Sequence, residues 1–311
     1  MSGFSMKLLY AYRMSLLSTE GKFSCHKSAC KVENISHDKL TRFLSNKEEK
    51  SEPDIKSLPK GGRLIFDDTS INKAFSKKIE GVRYVWCSSI NKAVKGYTLI
   101  KIIYVYGKKI YNLADIIWDK ERGTKNDVIR EELKKLYEAG IEPEIVLFDC
   151  GYMACKNVNL INSLGWKYLT LCKSNKIFEK KQVQTHKFFG GKSLRGKARG
   201  IYHAVQIAKH CNRYIMTNLE KPIKSSSGWR IYRKRWIIET IFRDLKSYLH
   251  LEQCSARSLK AQMNHIQACM DAFLFLKNKY PDKSIEAARQ DYLKNACSLK
   301  FNDNSALTYA A

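Results

Sequence analysis

The chain has 311 residues, 56 Lys and Arg against 30 Asp and Glu, and a formal net charge of +26. That length buries a sizeable core without staples, and 44% hydrophobic with 11% aromatic residues excludes a disordered basic tail. The charge makes nucleic acid the expected partner; an anionic membrane surface is second, and no apolar run reaches the roughly 18 residues of a membrane span.

The N-terminal MSGFSMKLLYAYRMSLL is broken by Lys7 and Arg13 and does not read as a secretory signal. Ten cysteines are scattered, mostly in apolar runs (Cys87, Cys172, Cys269), as expected of reduced thiols in a cytoplasmic protein. Cys25, His26, Cys30 and His37 form a candidate zinc group, but their spacing matches no familiar finger. Residues 1–45 read as helical, with Ser36 as an N-cap and Leu40, Phe43 and Leu44 on one stripe. Charged, proline-bearing residues 46–61 read as a linker, so 1–60 form a small helical N-terminal region.

The pattern then changes. Residues 63–68 (RLIFDD) read as a strand ending in acid, and 97–106 and 109–118 as two strands around Gly107. A helix over 124–139 stops at Gly140. EIVLF (144–148) is a buried strand running into Asp149, a helix over 157–164 stops at Gly165, and 167–172 is a further strand. This order implies an α/β core with a mixed sheet. Residues 173–199 carry nine Lys/Arg against one acid, Glu179, and with a strand pair at 201–208 and 213–217 they form a small basic insertion over about 173–218. Helices are expected over 229–249, 257–279 and 283–297, the last within a C-terminal tail at 281–311 that follows the α/β domain at 61–280.

Three acids stand in chemically informative places: Asp68 in IFDDTS, Asp149 in VLFDCGY, and Glu239 in YRKRWIIETIFRDLK. A carboxylate at a buried strand end is costly unless it meets a cation, and oxygen-only clusters suit hard ions such as Mg²⁺ or Mn²⁺. On a continuous helix Tyr232, Arg235, Glu239, Arg243 and Lys246 fall within about 80° of one another, opposite Ile237, Ile238, Ile241, Leu245 and Leu249. On spacing alone, Glu239 and Arg243 equally read as an i,i+4 ion pair on a wet face. Trp229 and Trp236 flank this stretch and suit either base stacking or packing. His265 and Cys269 have metal-like spacing but lie among apolar residues, where core packing is expected. Gly190-Gly191-Lys192-Ser193 lacks phosphate-loop spacing.

Tyr232, Arg235, Glu239 and Lys246 together resemble the Tyr–Arg–Glu–Lys signature of the insertion-sequence-4 family of DDE transposases. LIFDDTSINK resembles that family's first catalytic motif, FDCGYMACKN its second, and SHDKLTRFLS a segment preceding the catalytic domain, so the resemblance spans roughly residues 30–280. It implies an RNase H-like fold with Asp68, Asp149 and Glu239 as a catalytic, metal-binding triad for two Mg²⁺ or Mn²⁺ ions. Asp67 competes with Asp68; the family pattern favours the residue directly before Thr69, and the two point to opposite sides of a strand. The acids are 81 and 90 residues apart, so a reduced insertion is expected in the second interval. Tyr232, Arg235, Arg243 and Lys246 would contact DNA near the scissile bond. The implied function is metal-dependent cleavage and strand transfer at the ends of an insertion sequence, by a bacterial, nucleoid-associated protein that dimerises on DNA. A structure-specific nuclease, or a DNA-binding relic that has lost strand transfer, are the alternatives.

Overall fold

The computed structural model describes residues 3–26, 36–46, 55–74, 76, 78–87 and 90–298. Among them, nine strands make one mixed sheet. At its centre β1 (Arg63–Asn72) pairs antiparallel with β3 (Lys92–Tyr106), Asp67 opposite Lys101, and parallel with β5 (Ile145–Phe148), Phe66 beside Phe148. On the far side of β3, β2 (Arg83–Cys87) pairs with Lys92–Gly96 and β4 (Lys109–Ile117) with Leu99–Tyr106. β6 (Tyr168–Cys172) lies parallel to β5. The antiparallel pair β3 and β4 needs only a tight turn, at Gly107 with φ 56°. The parallel half needs crossovers. These are α3 (Lys125–Glu138), opened by a Thr124–Asp127 capping box, and α4 (Cys155–Ser163).

Strand alternation sorts the side chains into two cores. Leu64, Phe66, Val146 and Phe148 meet Val128, Ile129, Leu133, Val158 and Ile161 of α3 and α4 on one face. Ile65, Ile71, Ile145 and Leu147 join the other core. That second core is closed by α5 (Ser225–Tyr232), α6 (Trp236–Tyr248), α7 (Leu259–Lys279) and α8 (Ile285–Ser298), with α1 (Gly3–Ser18) and α2 (His37–Asn46) packed on α7. Tyr12 Oη and His265 Nδ1 lie 2.7 Å apart, and Asn264 Nδ2 donates to the Leu44 carbonyl at 2.6 Å. His265 and Cys269 are fully buried. A mixed sheet with helices on both faces is what an RNase H-like fold requires.

Between β6 and α5 the chain makes a small hairpin, β7 (Ile177–Phe178) with β8 (Lys181–Gln182). It then extends the main sheet through β9 (Leu194–Gly196), β10 (Val205–His210) and β11 (Arg213–Thr217), the last pairing antiparallel with β6. The helix expected over 229–249 is interrupted: Arg233–Arg235 form a 3₁₀ turn between α5 and α6. No helix among the described residues is long and apolar enough to cross a membrane. Of the zinc candidates, Cys30 lies outside the described residues; among those described, no three His, Cys, Asp or Glu are grouped to hold a metal.

A candidate catalytic site on β1 and beyond β5

Three acids face one another across the sheet-helix junction. Asp67 follows the parity of Ile65 and so projects toward the face covered by α6. Asp149 follows the parity of Leu147, in the first position after β5, where the chain turns into the 3₁₀ segment Cys150–Tyr152. Glu239 is on the first turn of α6.

Arg235 gathers these carboxylates. Its Nη1 donates to Asp67 Oδ2 at 2.6 Å and its Nη2 to Glu239 Oε1 at 2.5 Å. Its Nε donates to Tyr232 Oη at 3.1 Å, and that hydroxyl donates to Asp149 Oδ1 at 3.2 Å. A planar guanidinium can serve three directions at once, which an ammonium cannot do in a fixed plane. Arg235 is only 5% exposed. Burial opposes its charge, but Tyr232, Asp67 and Glu239 more than offset this and hold it protonated. Burial pushes the Asp67 carboxyl up to about 7; Arg235 pulls it down, and Asp68 and Asp149 add to the rise. Burial, with a further contribution from Asp149, likewise raises the Tyr232 phenol, against the pull of Arg235.

Asp68 is turned the other way. Lys125 Nζ donates to both its oxygens, at 3.0 and 2.9 Å, and Tyr152 Oη donates to Oδ1 at 2.6 Å. Tyr152 packs edge-on against Phe66 with ring centroids 5.4 Å apart. Asp68 thus ties the middle of β1, which runs on to Asn72 instead of ending in acid, to the turn that follows Asp149, on the α3 side of the sheet. The expected grouping of Asp68 with Asp149 and Glu239 therefore differs from the observed orientation, in which Asp67 is the β1 acid facing α6. Alternation along the strand identifies two candidate faces; the packing of α6 distinguishes them.

The four expected DNA contacts separate in the same way. Tyr232 and Arg235 are buried among the acids. Lys246 Nζ donates to the Ser70 carbonyl at 2.6 Å and lies 3.4 Å from Glu252 Oε1. Arg243 is open, 68% exposed at its side chain, with the neighbouring Asp244 at 3.3 Å. Trp229 is packed, stacked on His210 at 5.2 Å with Arg213 over its ring, whereas Trp236 is half exposed. Lys125 and Tyr152 were not singled out from the sequence. Tyr152 sits within FDCGYMACKN, but a local motif gives no sign that its hydroxyl reaches β1.

The donor set suits a hard divalent cation: carboxylates only, two of them already drawn around one positive charge. With the Arg235 fork between Asp67 and Glu239, no three-acid cluster of metal-ligand geometry exists among the described residues.

A family model described as a transposase DDE domain matches residues 58–274, which takes in all these groups. No curated protein sequence matches the chain. Among solved structures, the piggyBac transposase synaptic complex with hairpin DNA is similar, with a TM-score of 0.52 and 11% identity, over 97% of this chain and 74% of that one. The Drosophila P element transposase strand transfer complex matches with a TM-score of 0.30 and 15% identity, over 93% of this chain and 63% of that one. The family-model match spans more than half of the sequence, and the chain belongs to the family of transposase DDE domains.

Proposed function

We propose that the chain is an insertion-sequence transposase of the insertion-sequence-4 type, catalysing metal-dependent cleavage and strand transfer of duplex DNA. The observation that carries this is the convergence of Asp67 and Glu239 on Arg235, with Asp149 joined through Tyr232, in a chain of the transposase DDE family. Asp67, Asp149 and Glu239 are the proposed metal ligands, and Asp68 is the alternative first acid. A Mg²⁺ or Mn²⁺ pair bound there would activate the attacking oxygen and neutralise the leaving one in each in-line displacement. Arg235 and Tyr232 hold the carboxylates in register before DNA and metal arrive, and both carry hydrogen-bond donors suited to phosphate oxygens. Arg243 offers an open guanidinium on the same helix, and Lys246 fixes that helix to β1. Basic residues of 173–199 supply sequence-independent phosphate attraction, and a dimer on DNA would bring two element ends together.

The deciding experiment compares strand cleavage with gel-shift affinity for Glu239→Gln on DNA carrying the element's ends, with Mg²⁺ and with chelator. Gln keeps the size of Glu but not the charge that holds a divalent ion. Cleavage should fall by at least about a thousandfold, since several kcal/mol of barrier lowering is lost, while DNA affinity stays near wild type. Wild-type cleavage by Glu239→Gln, or cleavage in chelator, overturns the assignment.

A further inference from the structure

A fully buried lysine stands beside the acidic site. Lys101 of β3 has no exposed surface. It is register-opposite Asp67 on β1 and register-opposite Asp115 on β4. By strand parity all three project to the face covered by the helices, with Ile65 and Ile71, Leu99 and Ile103, and Ile117. Directly opposite residues of an antiparallel pair hold their Cβ atoms about 5 Å apart, so the Lys101 ammonium has an aspartate within reach on either side.

It takes one of them. Lys101 Nζ donates to Asp115 Oδ1 and, at 2.9 Å, to Asn112 Oδ1. Asn112 Nδ2 donates to Asp115 Oδ2 at 2.6 Å and closes the cluster. Asp67 instead meets Arg235. Charge therefore alternates in a row from β4 across β3 and β1 to α6: Asp115, Lys101, Asp67, Arg235, Glu239. Stability is a poor reason for the Lys101–Asp115 pair, because desolvating two ions largely cancels their attraction and an apolar pair of similar volume does as well or better. Its position next to Asp67 supplies a reason. Arg235 can release Asp67 and still keep Glu239 and Tyr232. Lys101 is fully enclosed; lying on Asp67, it would repel a divalent ion at close range with no solvent to screen the repulsion.

We propose that Asp115, clamped by Asn112, is a positioning residue that holds Lys101 off Asp67 and so keeps that carboxylate available to a divalent metal. This rests on the reading of Asp67, Asp149 and Glu239 as metal ligands, and adds to it two residues outside the acidic site. Without the Asp115 charge, Lys101 turns to the aspartate on its other side.

The test is Mn²⁺ binding by the full chain without DNA, read as loss of the free-ion electron paramagnetic resonance signal; Glu239→Gln identifies the part bound at the acids. Asp115→Asn keeps the shape of the side chain and its hydrogen bonding to Asn112 but not the charge. It should weaken the Glu239-dependent binding at least about tenfold, as expected when a unit charge moves next to a metal ligand. Adding Lys101→Met to Asp115→Asn removes the displaced ammonium and should restore binding to near wild type. Asn112→Ala, a milder change at a half-buried residue, should weaken binding less, and Lys101→Met should again reverse the loss; this pair decides the matter if circular dichroism shows Asp115→Asn unfolded. Unchanged binding in Asp115→Asn overturns the inference. So does equal weakening with and without Lys101→Met, because the cluster would then be structural alone. If binding still depends on Glu239 in those cases, the metal-site reading stands; a wild type with no Glu239-dependent Mn²⁺ binding removes both.

Discussion

Adjacent aspartates on one strand are forced to opposite faces, so substitution can tell them apart. Asp67 is bound to Arg235 beside Glu239, and Asp68 to Lys125 and Tyr152. Asp67→Asn should therefore abolish metal-dependent cleavage, by a thousandfold or more if a metal ligand is lost. Asp68→Asn removes the negative partner of Lys125 but can still accept from Tyr152, and should slow cleavage roughly tenfold through a looser Asp149 turn. Single-turnover strand cleavage in Mg²⁺ measures both; the reverse order would make Asp68 the ligand. Arg235→Lys gives a second residue-scale test. Lysine keeps a positive charge but has no fork with which to reach Asp67, Glu239 and Tyr232 together. The loosened acids should cost stability, on the order of 1–3 kcal/mol for a charged hydrogen bond lost in a mostly buried site, and thermal unfolding in chelator reads this directly. An unchanged midpoint would mean that the fork does not hold the site. Asp67, Asp68, Tyr232, Arg235 and Glu239 were legible as chemistry-bearing in the sequence; Lys125 and Tyr152 were not. The partners of the first five were not legible either, because the choice between Asp67 and Asp68 depends on which sheet face α6 covers, a tertiary fact absent from any local pattern.

At the scale of elements, the hydrophobic periodicity located α3, α4 and α7 within about two residues, since each buries one stripe and ends on a turn or cap signal. It did not show β2, whose five residues place two aromatics in solvent, or the start of β3, where KAVKG reads as polar. It also ran one helix through Arg233–Arg235, where a 3₁₀ turn separates α5 from α6. Without a proline or glycine, nothing local marks that break. The turn sits where Tyr232 and Arg235 must both reach the acids. One glycine is decisive for the central strand pairs. A Cβ on Gly96 would lie 2.0 Å from the Ile71 carbonyl oxygen, a backbone atom that cannot yield without parting β1 from β3. Gly96→Ala should destabilise the fold by about 1–3 kcal/mol, the usual cost of overpacking, read as a lower urea midpoint. A neutral effect would show that β3 shifts freely there, which the pairing of Gly96 with both Asn72 and Arg83 argues against.

For the molecule as a whole, the helices outside the sheet are joined by a buried polar cluster on α7. His265 bonds to Tyr12 of α1 through Nδ1 and meets the His250 carbonyl at 3.0 Å through Nε2, fully enclosed. Burial depresses its pKa to about 3. The unfolded chain keeps a histidine near 6.5, so below that pH the unfolded state binds a proton that the folded state refuses. Stability from this group is present above about 6.5 and is lost as pH falls toward 3, by about 1.4 kcal/mol per pH unit in that window. His265→Gln removes the titration while keeping a polar side chain able to bond to Tyr12. The variant should be less stable than wild type at pH 7.5, because packing is imperfect. Between pH 7.5 and pH 4.5 the gap should move in its favour by roughly 2–3 kcal/mol, since only in the wild type does proton uptake by His265 favour the unfolded state. Urea unfolding at the two pH values measures the difference, and shifts common to both proteins cancel. Parallel loss of stability in the two would mean that His265 accepts a proton inside the fold and that its burial does not set the acid limit of stability.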